Sequence, residues 1–372
     1  MTGIADAAPK HAAPEAPENL RDRFYDVISP KTLGLALSAL LLQLGFVLSY
    51  LGAFHSPAPH AIPVDVVAPP SVAAQVVDTL NASAGQPVRA ASTTEAAARE
   101  DLMRGETSAG YPVDPTGATD HLLIASGGGA SRAAAVQAVF TTAAQQQHRS
   151  VSVEDLVPLD SGDGRGMSGF YLVTGWAVGG YLFASMLGVA KGPRPANVPR
   201  AVWRVGATVP FAVLSGLGGA LIAENLLGAL SGHFWAVAGV GVLVTLSAAT
   251  AAIALQTLLG TMGIGLTILI FVVLGNPSAG GAYQADLLPP FWRALNGVLP
   301  NGAGTEALRR IVYFGSHGAA HSVGVLLAWV VVAAAVALAG AALVHRNNPA
   351  TVPAVFGGWR PWAGSYGQLE GA

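Results

Sequence analysis

The chain has 372 residues, of which 52% are hydrophobic and only 11% charged, with 19 basic against 21 acidic side chains and a net charge of -2. A soluble domain carries roughly 25% charged residues, so this composition argues against a water-solvated globule, and the near-zero charge leaves no electrostatic footprint for nucleic acid. Cysteine is absent, which excludes disulfides, thiolate metal sites and a cysteine nucleophile.

The apolar residues are gathered into long blocks, the pattern of an integral membrane protein. The Ala, Gly and Val richness suits a GC-rich bacterial genome. Residues 1–19 are rich in Ala, Pro and Glu and lack the apolar side chains a core needs. In residues 20–31, Leu20, Phe24, Val27 and Ile28 share one stripe, which predicts a short interfacial helix. Residues 1–32 thus form a tail leading into the first span, an uncharged run over 33–54. That run is too long, and starts too far from Met1, for a cleaved signal peptide, so it reads as a signal anchor.

Residues 55–167 change character. "IPVDVV" reads as a strand, followed by a helix near 71–81. "PVRAAS", "GYPVDP", "DHLLIAS" and "SVSVEDLV" are further strands. "TTEAAAREDLMRG" reads as a helix capped by Thr94, and "SRAAAVQAVFTTAAQQQ" as another. Alternating strands and helices predict an α/β domain. Apolar blocks then return at 168–190, 205–229 and 234–275. The last is about twice one span and breaks near 258–265, giving 234–257 and 260–275. Residues 276–321 are broken by Gly and Pro, 322–344 form a final span, and 345–372 a tail. The expected fold is therefore an α-helical membrane protein with six transmembrane helices and an α/β domain between the first and second.

Basic residues near span ends set the orientation. Arg21, Arg23, Lys31, Lys191, Arg194, Arg200, Arg204 and Arg346 share one side if the spans alternate. Both termini are then cytoplasmic, and the α/β domain is extracytoplasmic, in the cell membrane.

No GxxxxGK[ST] string occurs, so the chain carries no ATP-driven engine of its own. "SGGGASR" (126–132) follows a strand and opens a helix, a place for either an anion or a tight turn. No HExxH, GxSxG or paired-His spacing is present, so neither an enzyme nor a resident cofactor or metal is expected. Glu224 is the one carboxylate inside a later apolar block, and an intramembrane charge is a functional candidate by default. It also lies near a span end, where snorkelling to the headgroups is cheap.

The segment after the fifth span cannot face lipid where its backbone is irregular. "NPSAGGAY" therefore belongs at the surface or against protein, and "PPFWRALNGVL" and "GTEALRRIVYF" read as two short outer helices. Phe291, Trp292, Leu295 and Val298 would face apolar matter, Arg293 and Asn296 water. Thr305 would cap the second helix, with Glu306 at its positive end.

One span, an outer α/β domain, five spans and a broken segment before the last together resemble the type-2 ABC exporter permeases. The likeness is greatest to the phage-infection-protein group and similar actinobacterial membrane proteins. It is carried by "IPVDVV", "TEAAAREDLMRGETSAGYPVD", "DSGDGRGMSGFYLVTGWAVGGYL" and the pairs Asn276-Pro277, Gly280-Gly281, Leu288-Pro289, Leu299-Pro300 and Tyr313-Phe314. It covers residues 20–346 and says little about substrate. The resemblance implies a permease that works as a homodimer in the lipid bilayer with a separate ATPase subunit. It implies path or lid roles for Glu224, Asn276, Pro277, Gly280, Gly281, Trp292, Arg293, Arg309 and Tyr313. It implies ATPase contacts at Lys191, Arg194 and Arg200. A rigid clamp joining the last two spans stands beside the lid reading. A non-transporting envelope protein, binding a partner through its outer domain, stands beside the exporter.

Overall fold

Every apolar block forms helix, the one open-ended structure that pairs its own backbone groups without water. The computed structural model describes residues 30–114 and 117–347. The helix expected over 20–31 falls, but for its last two residues, outside the described residues, as does the tail beyond 347. The chain divides into a unit ending at Leu48 and a unit beginning at Ser49. The helix α1 (Pro30–Phe54) runs across that division, is uncharged from Thr32 onward and exposes Leu33, Leu37, Leu41 and Leu48.

The second unit holds an α/β head and the remaining helices. In chain order the head comprises β1 (Ile62–Val67), α2 (Pro70–Asn81), β2 (Val88–Ser92), α3 (Glu95–Met103), β3 (Ala109–Pro112), β4 (Thr119–Ile124), α4 (Ala130–Gln146) and β5 (Ser150–Asp155). The sheet order is β2-β1-β3-β4-β5, parallel except where β3 meets β4. Residues 113–118 are too few for a crossover, so β4 has to run antiparallel to β3. On one face Val64, Val66, Leu122 and Ile124 pack under Leu80 of α2 and Val136 and Phe140 of α4. On the other, Leu102 of α3 and Leu123 meet Phe314 from far down the chain. Thr94 caps α3 as expected, its hydroxyl accepting from the Ala97 amide at 3.3 Å. Arg149 pairs with Asp120 at 2.6 Å, and the Tyr111 hydroxyl donates to the same carboxylate at 2.7 Å.

Asp65, central in β1, forms no ion pair among the described residues. Its Oδ2 is buried without a hydrogen bond, and burial together with the nearby Asp101 carboxylate pushes it up to about 6. A folded-state value above the unfolded one means that the native head binds the extra proton, so stability falls as pH rises from about 4 to about 6. Asp65→Asn is expected to remove that slope and to gain on the order of 1–2 kcal/mol at pH 7, after allowance for partial solvent access. Hydrogen exchange of the strand amides at pH 4.5 and 7.5 measures it; an unchanged slope in the variant refutes the assignment.

The membrane-type helices of this unit are α5 (Ser168–Lys191), α6 (Val198–Leu226), α7 (Phe234–Leu259), α8 (Met262–Ser278) and α11 (Ala319–Asn347), with α9 (Pro290–Asn296) and α10 (Pro300–Tyr313) between the last two. Among the described residues five helices, α1, α5, α6, α7 and α11, are long and apolar enough to cross a membrane. The fifth expected span, 260–275, gives α8, which is shorter than these five. A turn at Gly260 (φ 65°) consumes its start, and Pro277 lies next to its last residue. The third apolar block begins earlier than hydropathy suggests. Asn197 caps α6 by accepting from the Arg200 amide, and this draws Arg200 and Arg204 onto the helix.

Helix α7 is the hub, buried over most of its length against α5, α6 and α11. Two glycines permit the close approach. A Cβ on Gly180 would stand 2.4 Å from the Thr245 carbonyl, and one on Gly216 2.5 Å from that of Ala238. The glycine-rich runs 177–181 and 215–220 are thus used within one chain. The outward faces of these helices carry Val189, Trp203, Trp235 and Met262, each more than 70% exposed. Apolar surface on that scale calls for a lipid solvent.

Candidate functional site

Pro277 has no amide hydrogen, so the Val273 carbonyl one turn back loses its helical partner. Ser49 Oγ donates to that carbonyl and replaces the missing bond. Immediately before it, Leu269–Leu274 widens into a π-turn, and Asn301 Nδ2 takes the Phe271 carbonyl at 3.1 Å and Asn276 Oδ1 at 2.8 Å. The chain leaves α8 through a left-handed residue, Gly280 (φ 75°), and the next residue, Gly281, lies under the Phe170 ring. Asn296 donates to the Ser278 carbonyl at 2.7 Å. Trp292 is buried with Ala53 and Leu288, while Arg293 is half-buried and donates to the Leu288 carbonyl at 3.1 Å. Arg293 and Asn296 therefore bond inward instead of facing water, and Phe291 and Val298 are the exposed members of this stretch. The start of α10 is also displaced from expectation. It begins at Pro300, so Thr305 is internal and donates to the Asn301 carbonyl instead of capping.

Arg309 is only 8% exposed. It reaches Glu306 at 2.7 Å and donates to the Gly280 carbonyl at 2.8 Å. Glu306 also binds Arg310 at 2.7 Å, and Arg310 continues to the Gly105 carbonyl in the head at 2.8 Å, with its guanidinium over the Phe314 ring. The neighbouring arginines, Arg309 foremost, hold the Glu306 carboxyl below its usual range despite burial. The head answers with Arg132, paired to Asp286 at 2.7 Å, and with Ser131, whose hydroxyl donates to the Ala282 carbonyl at 2.7 Å. At the far end of α10, Tyr313 donates to Asp163 at 2.6 Å, and Asp163 in turn accepts from the Ser168 amide at the start of α5. Burial and the Asp163 carboxylate push the Tyr313 phenol up.

The triglycine turn completes the joint. Tyr313 fills the space a Cβ on Gly127 would take, Phe314 that of Gly128, and Gln284 that of Gly129. The turn is occupied by protein, which overturns the anion-cradle reading. Two voids of about 10 Å³ remain beside Arg309 and Arg310, the scale of a single water. The arrangement welds the head to residues 276–314; it is a mechanical joint and not a ligand pocket. No metal-holding group of His, Asp or Glu occurs among the described residues.

The candidates thus separate. Asn276, Pro277, Gly280, Gly281, Trp292, Arg293, Arg309 and Tyr313 lie along this joint. Glu224 lies elsewhere, in a second π-turn at the end of α6, accepting from the Gly232 amide at 2.9 Å. It shapes the turn between α6 and α7, in keeping with its span-end position. Lys191, Arg194 and Arg200 cluster at the opposite end of the helices, where Arg194 donates to the Leu258 carbonyl at 3.0 Å. Sequence reasoning missed Ser49, Asp163 and Gln284. Only Asp163, in "DSGDGRG" before a span, carries a readable signal, a charge held close to an apolar block. No protein-family model, curated protein or solved structure matches the chain.

Proposed function

We propose that the chain is the membrane subunit of an ATP-driven exporter, acting as a homodimer with a separate ATPase, in the cell membrane with both termini cytoplasmic. The observation that carries this reading is the welded joint. A head fixed to residues 276–314, and through Ser49 and Asn301 to α8, moves with the end of the helical bundle. Such a unit acts as a lid coupled to the path, the role that the family resemblance implies for this segment.

Six crossings are supported by the ends at which the helices meet. Asp160 accepts from the Ser231 amide, so the exit of the head lies beside the α6–α7 turn. Arg194 meets the last turn of α7 at the other end. Helix α8 starts there, past Gly260, and the chain reaches Arg309 at Gly280 on the head side. Its length, about 26 Å at 1.5 Å per residue, is just short of a hydrocarbon core of about 30 Å. An ATPase would meet the tip of the loop between α5 and α6, residues 192–197, where Arg194 lies.

A second reading, an envelope-binding protein without transport, is favoured by a cleft of about 330 Å³ between α2 and α4 on the head, floored by Tyr111 and Phe140. Purification of the full chain in mild detergent from its own cells, followed by mass spectrometry, separates the two. The exporter reading expects an ATPase that is lost when the loop 192–197 is replaced; an envelope component without an ATPase supports the second. A reporter fused after residue 346 should be cytoplasmic and one within 55–167 external; the reverse overturns the orientation.

A further inference from the structure

Helices α5 and α6 both lean on α7 and leave a seam between them. Along α5 the seam follows one ridge at i, i+4 spacing through Gly175, Gly179, Phe183, Leu187 and Lys191. Along α6 it follows Trp203, Ala207, Phe211, Ser215 and Gly219 in the same spacing. Midway, the Phe183 and Phe211 rings stack at 4.4 Å with only 9° between their planes. They divide the seam into two grooves. The one toward the head is apolar, about 410 Å³, and lined by Tyr171, Trp176 and Ile222. The one at the other end is about 560 Å³ and combines Leu187 and Ala207 with Lys191, Arg194, Arg200 and Arg204.

The charge in this second groove is one-sided. No Asp or Glu occurs between Asp163 and Glu224. Arg204 is spent on the loop, donating to the Gly192 carbonyl at 2.6 Å and to those of Lys191 and Pro193. Arg194 caps the end of α7. Lys191 and Arg200 are exposed and make no ion pair among the described residues. Trp203 beside them is 78% exposed, a placement suited to the headgroup layer. From Lys191 back to Phe183 the ridge runs about 12 Å, all of it apolar beyond the first turn.

We infer that this groove binds one anionic phospholipid of the surrounding bilayer. Its phosphate lies between Lys191 and Arg200, and an acyl chain runs along Leu187 and Ala207 to the stacked rings. Two cations without a carboxylate partner among the described residues, at the mouth of an apolar channel on the basic end of the helices, match that amphiphile in both charge and polarity. The inference needs only that these helices lie in lipid and holds with or without transport.

The test is native mass spectrometry of the full chain in detergent, titrated with phosphatidylglycerol and with phosphatidylcholine of the same chains. Phosphatidylglycerol adducts should survive at about tenfold lower lipid concentration than phosphatidylcholine adducts. Lys191→Gln with Arg200→Gln should abolish that preference, a tenfold ratio that corresponds to about 1.4 kcal/mol shared by the two cations. Leu187→Trp, which fills the channel and leaves every charge in place, should weaken binding of both lipids. Millimolar inorganic phosphate should not displace the adduct. Equal retention of the two lipids overturns the proposal, as does displacement by phosphate, which would mark a free-anion site. Unchanged lipid binding in the charge variant together with loss of an acidic protein partner would assign the cations to that protein instead.

Discussion

Glu306→Gln is expected to be among the most damaging single substitutions, lowering stability by about 3–5 kcal/mol, the usual cost of stripping one partner from a buried ion pair. The substitution keeps the shape and removes only the charge. Glu306 is the carboxylate that both Arg309 and Arg310 meet, each at 2.7 Å, and Arg309 has almost no solvent to fall back on. Gln can still accept one hydrogen bond, but it leaves two guanidinium groups facing each other across a half-buried contact without a carboxylate between them. The sign with pH follows from the direction of the shift. The folded carboxyl sits below its ordinary value, so its contribution is present above about pH 4.5 and is lost as pH falls through the lower folded value. Thermal unfolding of the detergent-solubilised chain should therefore show a gap of several degrees at pH 7 that narrows below pH 4.5. A variant that melts with the wild type at pH 7 would refute the buried pair. Limited proteolysis should locate the damage at the contact between α10 and Gly105, because that is where Arg310 ties the head down.

How much of this was legible in the sequence depends on what each residue meets. The head was readable because β1 and β5 are short strings carrying β-branched residues, the other strands sit between Gly, Pro and Asn, and Thr94 sits where a cap has to be. The antiparallel turn of β4 followed from a connection too short for a crossover, but only once the strand bounds were fixed. The apolar helices were readable from hydropathy, and the break expected near 258–265 falls at the Gly260 turn. One start was displaced: Asn197 extended α6 back over Arg200 and Arg204, because capping chemistry overrides the apolar average. The joint was not readable. Glu306 was legible only as a charge suited to a helix start, and here it is the shared partner of Arg309 and Arg310, which then reach carbonyls at Gly280 and Gly105. Ser49 and Val273 are far apart in sequence, and nothing local reveals that a proline in one helix needs a hydroxyl from another.

Gly129→Ala is expected to be as severe, and for a different reason. The residue has φ 134° and ψ 117°, a region that L side chains rarely adopt at a cost of about 1–3 kcal/mol. Its new Cβ would also lie 2.2 Å from Cδ of Gln284. Gln284 is buried and cannot step aside without giving up the Arg132 amide, which donates to its Oε1 at 2.9 Å at the start of α4. Overpacking of this kind adds a further 1–3 kcal/mol, so about 2–6 kcal/mol is expected in all. The two terms come apart in a double variant. Adding Gln284→Ala to Gly129→Ala should recover the packing part and leave the backbone part, so the pair should be more stable than the sum of the single losses. If the turn served an anion instead, phosphate would raise the melting temperature of the wild type and Gln284→Ala would rescue nothing. In the packed joint described here phosphate has no effect, and the coupling between positions 129 and 284 is large and favourable.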